Sequence, residues 1–88
     1  MGRVLMFVRI MPADSEVDIA LLEERIRNTL PEGFRFVNSS REPIGYGMES
    51  LIVGISVPEE EGVTDRLEDH LRSIEGVGEV QVEALSRE

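Results

Sequence analysis

The sequence predicts an α+β fold in which a four-stranded antiparallel sheet is covered on one face by two helices. Three observations indicate it: segments of alternating apolar and polar residues, two stretches with apolar residues at helical spacing, and Pro or Gly at the junctions. The 88 residues are 41% hydrophobic and 31% charged, which fits a single globular domain spanning residues 1–88.

The first strand and helix have clear periodicities. Arg3–Met11 alternates as a strand, and its uniformly apolar face consists of Val4, Met6, Val8 and Ile10. From Val17 the spacing is helical, with a stripe made of Ile19, Leu22, Ile26 and Leu30. The candidate N-caps of this helix are Asp14, Ser15 and Asp18.

Two further strands follow the first helix. Phe34–Arg41 predicts the second, interrupted at Asn38-Ser39-Ser40, and Leu51–Val57 predicts the third. Strands so close in sequence are most simply joined as an antiparallel hairpin. We expect the intervening Glu42–Met48 to form the bend and the start of the third strand.

The last two elements complete the pattern. Thr64 is the expected N-cap of the second helix, whose stripe consists of Val63, Leu67, Leu71 and Ile74. Gly76 and Gly78 end it, and Glu79–Leu85 forms a final strand with Val80, Val82 and Ala84 facing inward. The order βαββαβ is that of the ferredoxin-like sandwich.

Composition excludes several classes of function. Cysteine is absent, so there are no disulfides or thiolate metal sites, and no apolar run approaches the length of a membrane span. A net charge of −9, with nine arginines and no lysine, opposes binding to nucleic acid or anionic membranes. We therefore expect a cytoplasmic protein with neither partner. The acidity serves solubility, or suits a basic partner or a salty cytoplasm.

No catalytic or cofactor motif can be assembled from these residues. His70, the single histidine, has no nucleophile in a recognisable motif beside it, and a chain without lysine has no Walker loop. Glu59, Glu60, Glu61 and Asp65 lack the preorganised spacing that a divalent cation requires. We expect no enzyme active site, no metal site and no cofactor.

The segment Glu42–Met48 is the best candidate for a contact surface. Pro43, Gly45 and Gly47 suit a bend, but a bend does not require the large side chains of Ile44 and Tyr46 that alternate with the glycines. Those two side chains are surplus to the turn, which suggests that they touch a partner.

Several motifs resemble the archaeal elongation factor 1-beta family, in order and over essentially the whole chain. They are Met11-Pro12, Val17-Asp18-Ile19, Leu30-Pro31-Glu32-Gly33, Glu42-Pro43-Ile44-Gly45-Tyr46-Gly47 and Ile74-Glu75-Gly76-Val77. The resemblance implies a factor that promotes guanine-nucleotide exchange on the GTPase elongation factor 1-alpha. It also implies that Tyr46 is an anchor on that GTPase, shaped by Pro43, Ile44, Gly45 and Gly47.

The end of the chain departs from the pattern of eukaryotic members, which place a lysine near the C-terminus that is held to enter the magnesium site. Arg87 is the nearest cation here, and its guanidinium is a wide planar fork rather than a compact ammonium. Two routes stay open: a side chain of the tail acting at the magnesium site, or displacement of the GTPase's own switch elements.

Two alternatives accompany these expectations. Leu5 and Phe7, on the second face of the first strand, allow a ferredoxin-like small-ligand or regulatory module that oligomerises through its open sheet face. Tyr46 could also merely cover the end of the hairpin. For an exchange factor we expect a monomer.

Overall fold

A computed structural model describes residues 2–88 of the chain. Its elements, in order, are β1 (Arg3–Pro12), α1 (Ile19–Thr29), β2 (Arg35–Gly45), β3 (Met48–Pro58), α2 (Val63–Arg72) and β4 (Val77–Arg87). The strands form one sheet in the order β2-β3-β1-β4, with every neighbouring pair antiparallel. The predicted ferredoxin-like arrangement is confirmed.

Both helices pack on one face of the sheet, where the alternating residues of β1 and β3 meet the helical stripes. The fully buried side chains of this core include Met6, Val8, Ile10, Leu22, Ile26, Leu51, Val53, Ile55, Val57, Leu67 and Leu71. Ile19, Leu30 and Ile74 lie at its margin. On the opposite face β1 presents Arg3, Leu5, Phe7 and Arg9, and neither helix of residues 2–88 packs there.

The two helices begin differently. The side chain of Asp18 accepts hydrogen bonds from the backbone N–H groups of Ala20 and Leu21, so Asp18 is the N-cap of α1. The prediction that Thr64 caps α2 is wrong. The N-cap of α2 is Gly62 in a left-handed conformation with no side-chain cap, and Val63 is already helical and buried.

Two bulges in β4 change the predicted faces of that strand. Phe7 pairs with Ala84 and Val8 with Val82, so Glu83 is an extra residue. Ala84 is therefore opposite Phe7 on the open face, and the prediction that it faces the core is wrong. The second bulge is at Gly78, where an added Cβ would lie 2.8 Å from the carbonyl oxygen of Pro12.

The candidate segment lies mostly in the second strand, not at the start of the third as predicted. β2 continues without interruption through Asn38-Ser39-Ser40 to Gly45, accommodating Val37 as a bulge. Only Tyr46 and Gly47 form the bend before β3 begins at Met48.

Neither helix found in residues 2–88 has the length and the apolar composition that a membrane-spanning helix requires.

Candidate functional site

Tyr46 and Gly47 form the two-residue turn at the tip of the β2–β3 hairpin. Gly45 pairs with Met48 across this turn, and the φ angles of Tyr46 and Gly47 are 56° and 76°. Positive φ at both central positions is the mark of a type I′ turn, which favours Asn, Asp or Gly. Gly47 adopts this geometry without strain, whereas Tyr46 is the one non-glycine residue in the described range with positive φ.

The side chain of Tyr46 is fully exposed. Its ring therefore does not cover the hairpin end, which was the alternative interpretation of this residue. A left-handed conformation costs a non-glycine residue about 1–2 kcal/mol, and the exposed ring gains no packing in return. A strained, unpacked aromatic residue at a protruding tip is a feature that folding alone does not explain.

The residues before Tyr46 shape the tip. Pro43 pairs with Glu49 on the edge strand, and the register then shifts so that Ile44 is an extra, partly exposed residue before Gly45. Gly45 itself has a φ of 100°. Pro43, Ile44 and Gly45 thus lead the end of β2 into the turn formed by Tyr46 and Gly47.

The β2–β3 hairpin extends beyond the last residue pair that joins β3 to β1. Pairing of β1 with β3 ends at Ile10–Leu51, while β2 and β3 continue to pair with each other from Glu42–Ser50 to the turn. We call residues 42–50 the hairpin arm. A cleft of about 230 Å³ separates its outer part from the loop that follows β1.

Arg9 of β1 lies at the base of the hairpin arm on the open sheet face. Its Nη1 donates to the Oγ of Ser50 at 2.7 Å, and its Nη2 is 3.1 Å from an Oε1 of Glu42. Nε and Nη2 also donate to Oε1 of Glu83 in β4, at 3.2 and 3.1 Å. One guanidinium therefore links all four strands.

The environment of Arg9 favours its charged form. Its side chain is only 15% exposed. The hydrogen bond to Glu83 and, more weakly, the contacts with Glu42 raise the pKa of Arg9 above its ordinary value, against the opposing effect of desolvation. Ser50 is fully buried, and its hydroxyl both accepts from Arg9 and donates to the carbonyl oxygen of Glu42 at 3.3 Å.

Arg87 lies at the opposite end of the sheet. It pairs with Val4 in the β1–β4 ladder and forms an ion pair with Glu59 of the loop after β3. The eleven residues of β3 separate this end from the turn, a distance of about 34 Å at the usual strand rise. The structure therefore does not bring Arg87 together with the other candidate residues.

The other polar candidates, His70 and the acidic loop, make contacts within the protein. Nε2 of His70 is 3.3 Å from the hydroxyl of Thr29, so the histidine bridges the two helices. In the acidic loop, Glu60 pairs with Arg66 at 3.2 Å. Across residues 2–88, no group of three or more His, Cys, Asp or Glu side chains is placed to hold a metal ion.

Sequence reasoning missed the cluster around Arg9, although a signal existed. Arg3 and Arg9 are six residues apart on one face of β1, and Ser50 and Ser56 are six apart in β3. Antiparallel pairing of these strands places each arginine beside one serine: Arg3 Nε donates to Ser56 Oγ at 2.9 Å. Ser50 lies before the predicted third strand, Leu51–Val57, and Ser56 was only one of its alternating residues, so neither serine was matched to an arginine.

Comparison with known proteins matches almost the whole chain. The model of the EF-1 guanine nucleotide exchange domain family matches residues 5–87. Elongation factor 1-beta of Staphylothermus marinus is 41% identical over 88 residues, which covers 99% of this chain and 98% of the relative. The proteins of that name from Sulfolobus acidocaldarius and Natronomonas pharaonis are 41% and 36% identical, over 96% and 99% of this chain and 94% and 99% of their own lengths.

Proposed function

The chain belongs to the family of the EF-1 guanine nucleotide exchange domain and is a nucleotide exchange factor of translation elongation, and we propose that the GTPase elongation factor 1-alpha is its partner. By binding this GTPase, the factor weakens the hold on GDP, so that GDP leaves and GTP replaces it. Residues 1–88 act as one exchange domain, in the cytoplasm and as a monomer, without contacting nucleic acid or membrane.

The observation that carries the proposal of a binding site is Tyr46, which is exposed and strained at the tip of the hairpin arm. Aromatic side chains are over-represented among the residues that dominate binding energy at interfaces. A tyrosine presented by a short turn loses little conformational freedom when it is buried by a partner. Tyr46 is therefore the anchor, and Pro43, Ile44, Gly45 and Gly47 hold it in place.

The exchange mechanism requires coupling rather than bond chemistry. Whatever affinity GDP loses when the factor binds, the factor loses when GDP binds. Each tenfold weakening of GDP binding corresponds to about 1.4 kcal/mol of this coupling. Side-chain hydrogen bonds join the strands of this domain at both ends of its open face. Because the domain therefore keeps its shape on binding, the binding free energy can be used to weaken the hold of the GTPase on GDP.

Arg87 supplies a second, smaller contact with the GTPase. Because it lies about 34 Å from the turn, this contact falls on a different part of the partner. To make this contact, Arg87 must first break its ion pair with Glu59. Both side chains of that pair reach solvent, so breaking it costs little free energy.

Release of fluorescently labelled GDP from the cognate elongation factor 1-alpha tests the proposal. The wild-type chain should speed release, and Tyr46→Ala should reduce this acceleration by about thirtyfold, the effect of losing about 2 kcal/mol at an interface anchor. The thermal midpoint of Tyr46→Ala should remain close to that of wild type, since the ring packs against nothing. A wild-type chain without effect on GDP release would overturn the proposed partner. A Tyr46→Ala protein that is as active as wild type would remove the anchor only.

A further inference from the structure

The hairpin arm needs support from outside itself. Beyond the Ile10–Leu51 pair, residues 42–50 form a two-stranded ribbon whose backbone is paired only within the hairpin. An isolated two-stranded hairpin is marginally stable in water. Two glycines and the bulged Ile44 loosen its outer half further. A ribbon of this kind would let Tyr46 sample many positions.

Arg9 provides that support at Glu42–Ser50, the first residue pair of the arm beyond the end of the β1–β3 pairing. Its partners Ser50 and Glu42 are directly opposite each other in the β2–β3 pairing, so one guanidinium holds both strands of the arm. The buried Ser50 hydroxyl extends this hold to the backbone carbonyl of Glu42. On its other side Arg9 is fixed by Glu83. The arm is thereby fastened to the sheet four residues before Tyr46.

We infer that Arg9 is a positioning residue for exchange, which orients the hairpin arm so that Tyr46 meets the GTPase in a fixed geometry. The inference depends on the proposed anchor role of Tyr46. Arg9 does not touch the partner: its side chain is 15% exposed, and each of its three guanidinium nitrogens already contacts an acceptor within the sheet. Its effect on exchange passes through Tyr46 and disappears when the Tyr46 ring is absent.

A double-mutant cycle on labelled-GDP release tests this dependence, with Arg9→Gln and Tyr46→Ala made singly and together. Arg9→Gln should slow factor-stimulated release by about three- to tenfold in the wild-type background and by less than about 1.5-fold in the Tyr46→Ala background. Arg9→Lys, which keeps the charge but loses the fork, should recover part of the loss.

Arg3→Gln is the matched control because Arg3 makes the equivalent contact with a buried serine, Ser56, at the other end of the same strand. If Arg3→Gln slows factor-stimulated GDP release, it should slow it by the same ratio in the wild-type and Tyr46→Ala backgrounds. Coupling of Arg9 but not Arg3 to Tyr46 supports the inference. Equal losses for Arg9→Gln in both backgrounds would overturn it.

Amide hydrogen exchange separates positioning from general destabilisation. Arg9→Gln should speed amide hydrogen exchange in the hairpin arm, while the amide exchange rates of residues 51–57 in β3 stay close to those of wild type. If Arg9→Gln does not fold, Ser50→Ala replaces it, since it removes the hydroxyl shared by Arg9 and Glu42; additivity with Tyr46→Ala would then overturn the inference.

The outcomes also distinguish this inference from the proposed function. Loss of activity in Tyr46→Ala with none in Arg9→Gln would reject Arg9 as a positioning residue and leave the anchor standing. An unaffected Tyr46→Ala would reject the anchor, and the inference with it.

Discussion

At each end of the open sheet face, an arginine of β1 donates to a buried serine of β3. At one end Arg3 donates to Ser56 and also to the carbonyl oxygen of Gly33 at 2.7 Å, and Ser56 donates in turn to Glu88 at 2.7 Å. At the other end Arg9 donates to Ser50 and holds the hairpin arm. The same pair of residue types therefore closes one end and fastens a projection at the other.

The difference lies in what surrounds each pair. Around Arg3 the first and last strands and the loop before β2 meet, so its contacts join segments that are already adjacent. Just beyond Arg9 the β2–β3 pair parts from β1 and continues outward as a two-stranded ribbon, which ends at a strained, exposed tyrosine. This contrast supports the proposal that the hairpin end presents Tyr46 to a partner, whereas the contacts at the other end close the sheet.

The largest expected effect on stability concerns the turn glycine. Gly47→Ala places a Cβ at a φ of 76°, where no neighbouring atom obstructs it, so the cost is that of the backbone alone: about 1–2 kcal/mol of unfolding free energy. Because the strain falls on the turn that carries Tyr46, GDP release should slow as well. Denaturant unfolding and the GDP-release assay measure the two effects.

Gly33→Ala is the matched control for that substitution. Gly33 has a φ of 89°, equally open space around an added Cβ, and a position at the opposite end of the sheet. Its stability cost should be similar and its exchange activity should equal that of wild type. Equal losses of exchange activity in both variants would remove the distinction between the two ends.

The helix starts offer a comparison of intermediate size. Asp18→Ala should lower the unfolding free energy by about 1 kcal/mol, since two backbone N–H groups lose their acceptor. Thr64→Ala should change it by less than about 0.5 kcal/mol, because Thr64 lies inside α2 and caps nothing. Urea titration of both variants checks this, and a larger loss for Thr64→Ala would contradict the assignment of the caps.

These helix starts also show where sequence reasoning succeeds and where it stops. Periodicity predicted all six elements, because one face of each is buried against a common core and a slip of register would expose that face. Choosing among caps was harder: Asp18 and Thr64 are both of residue types favoured at the N-cap. Whether a cap forms depends on the path of the preceding loop, which at α2 turns through Gly62.

Bulges explain most of the other errors. The extra residue at Glu83 turned Ala84 to the open face, and the extra residue at Val37 let β2 run on through its polar stretch. A bulge is set by pairing with another strand, so local alternation does not reveal it. Local residue types indicated a bend with a side chain that the bend does not require, but they left open whether the ring of Tyr46 covers the hairpin end. The contacts of Arg9 join four strands, so no local pattern indicates them.

The smallest expected effect is at Arg87. Arg87→Ala removes an ion pair with Glu59 that reaches solvent, so the unfolding free energy should change by less than about 0.5 kcal/mol. GDP release should slow by about two- to fivefold if the second contact exists, a loss of under about 1 kcal/mol. Arg72→Ala, which removes a surface pair within α2, is the control and should leave release unchanged. Unchanged release in Arg87→Ala would restrict the binding site to the hairpin end.

The measurement that tests the central claim most directly is GDP release with Tyr46→Asn, made alongside its unfolding curve. Asparagine is favoured at this position of a type I′ turn, so the variant should gain about 1 kcal/mol of unfolding free energy through relief of the left-handed strain. It should nevertheless lose most of its acceleration of GDP release, because the anchor is gone. A stabilised variant that exchanges as well as wild type would contradict the claim that Tyr46 is held in strain for its partner.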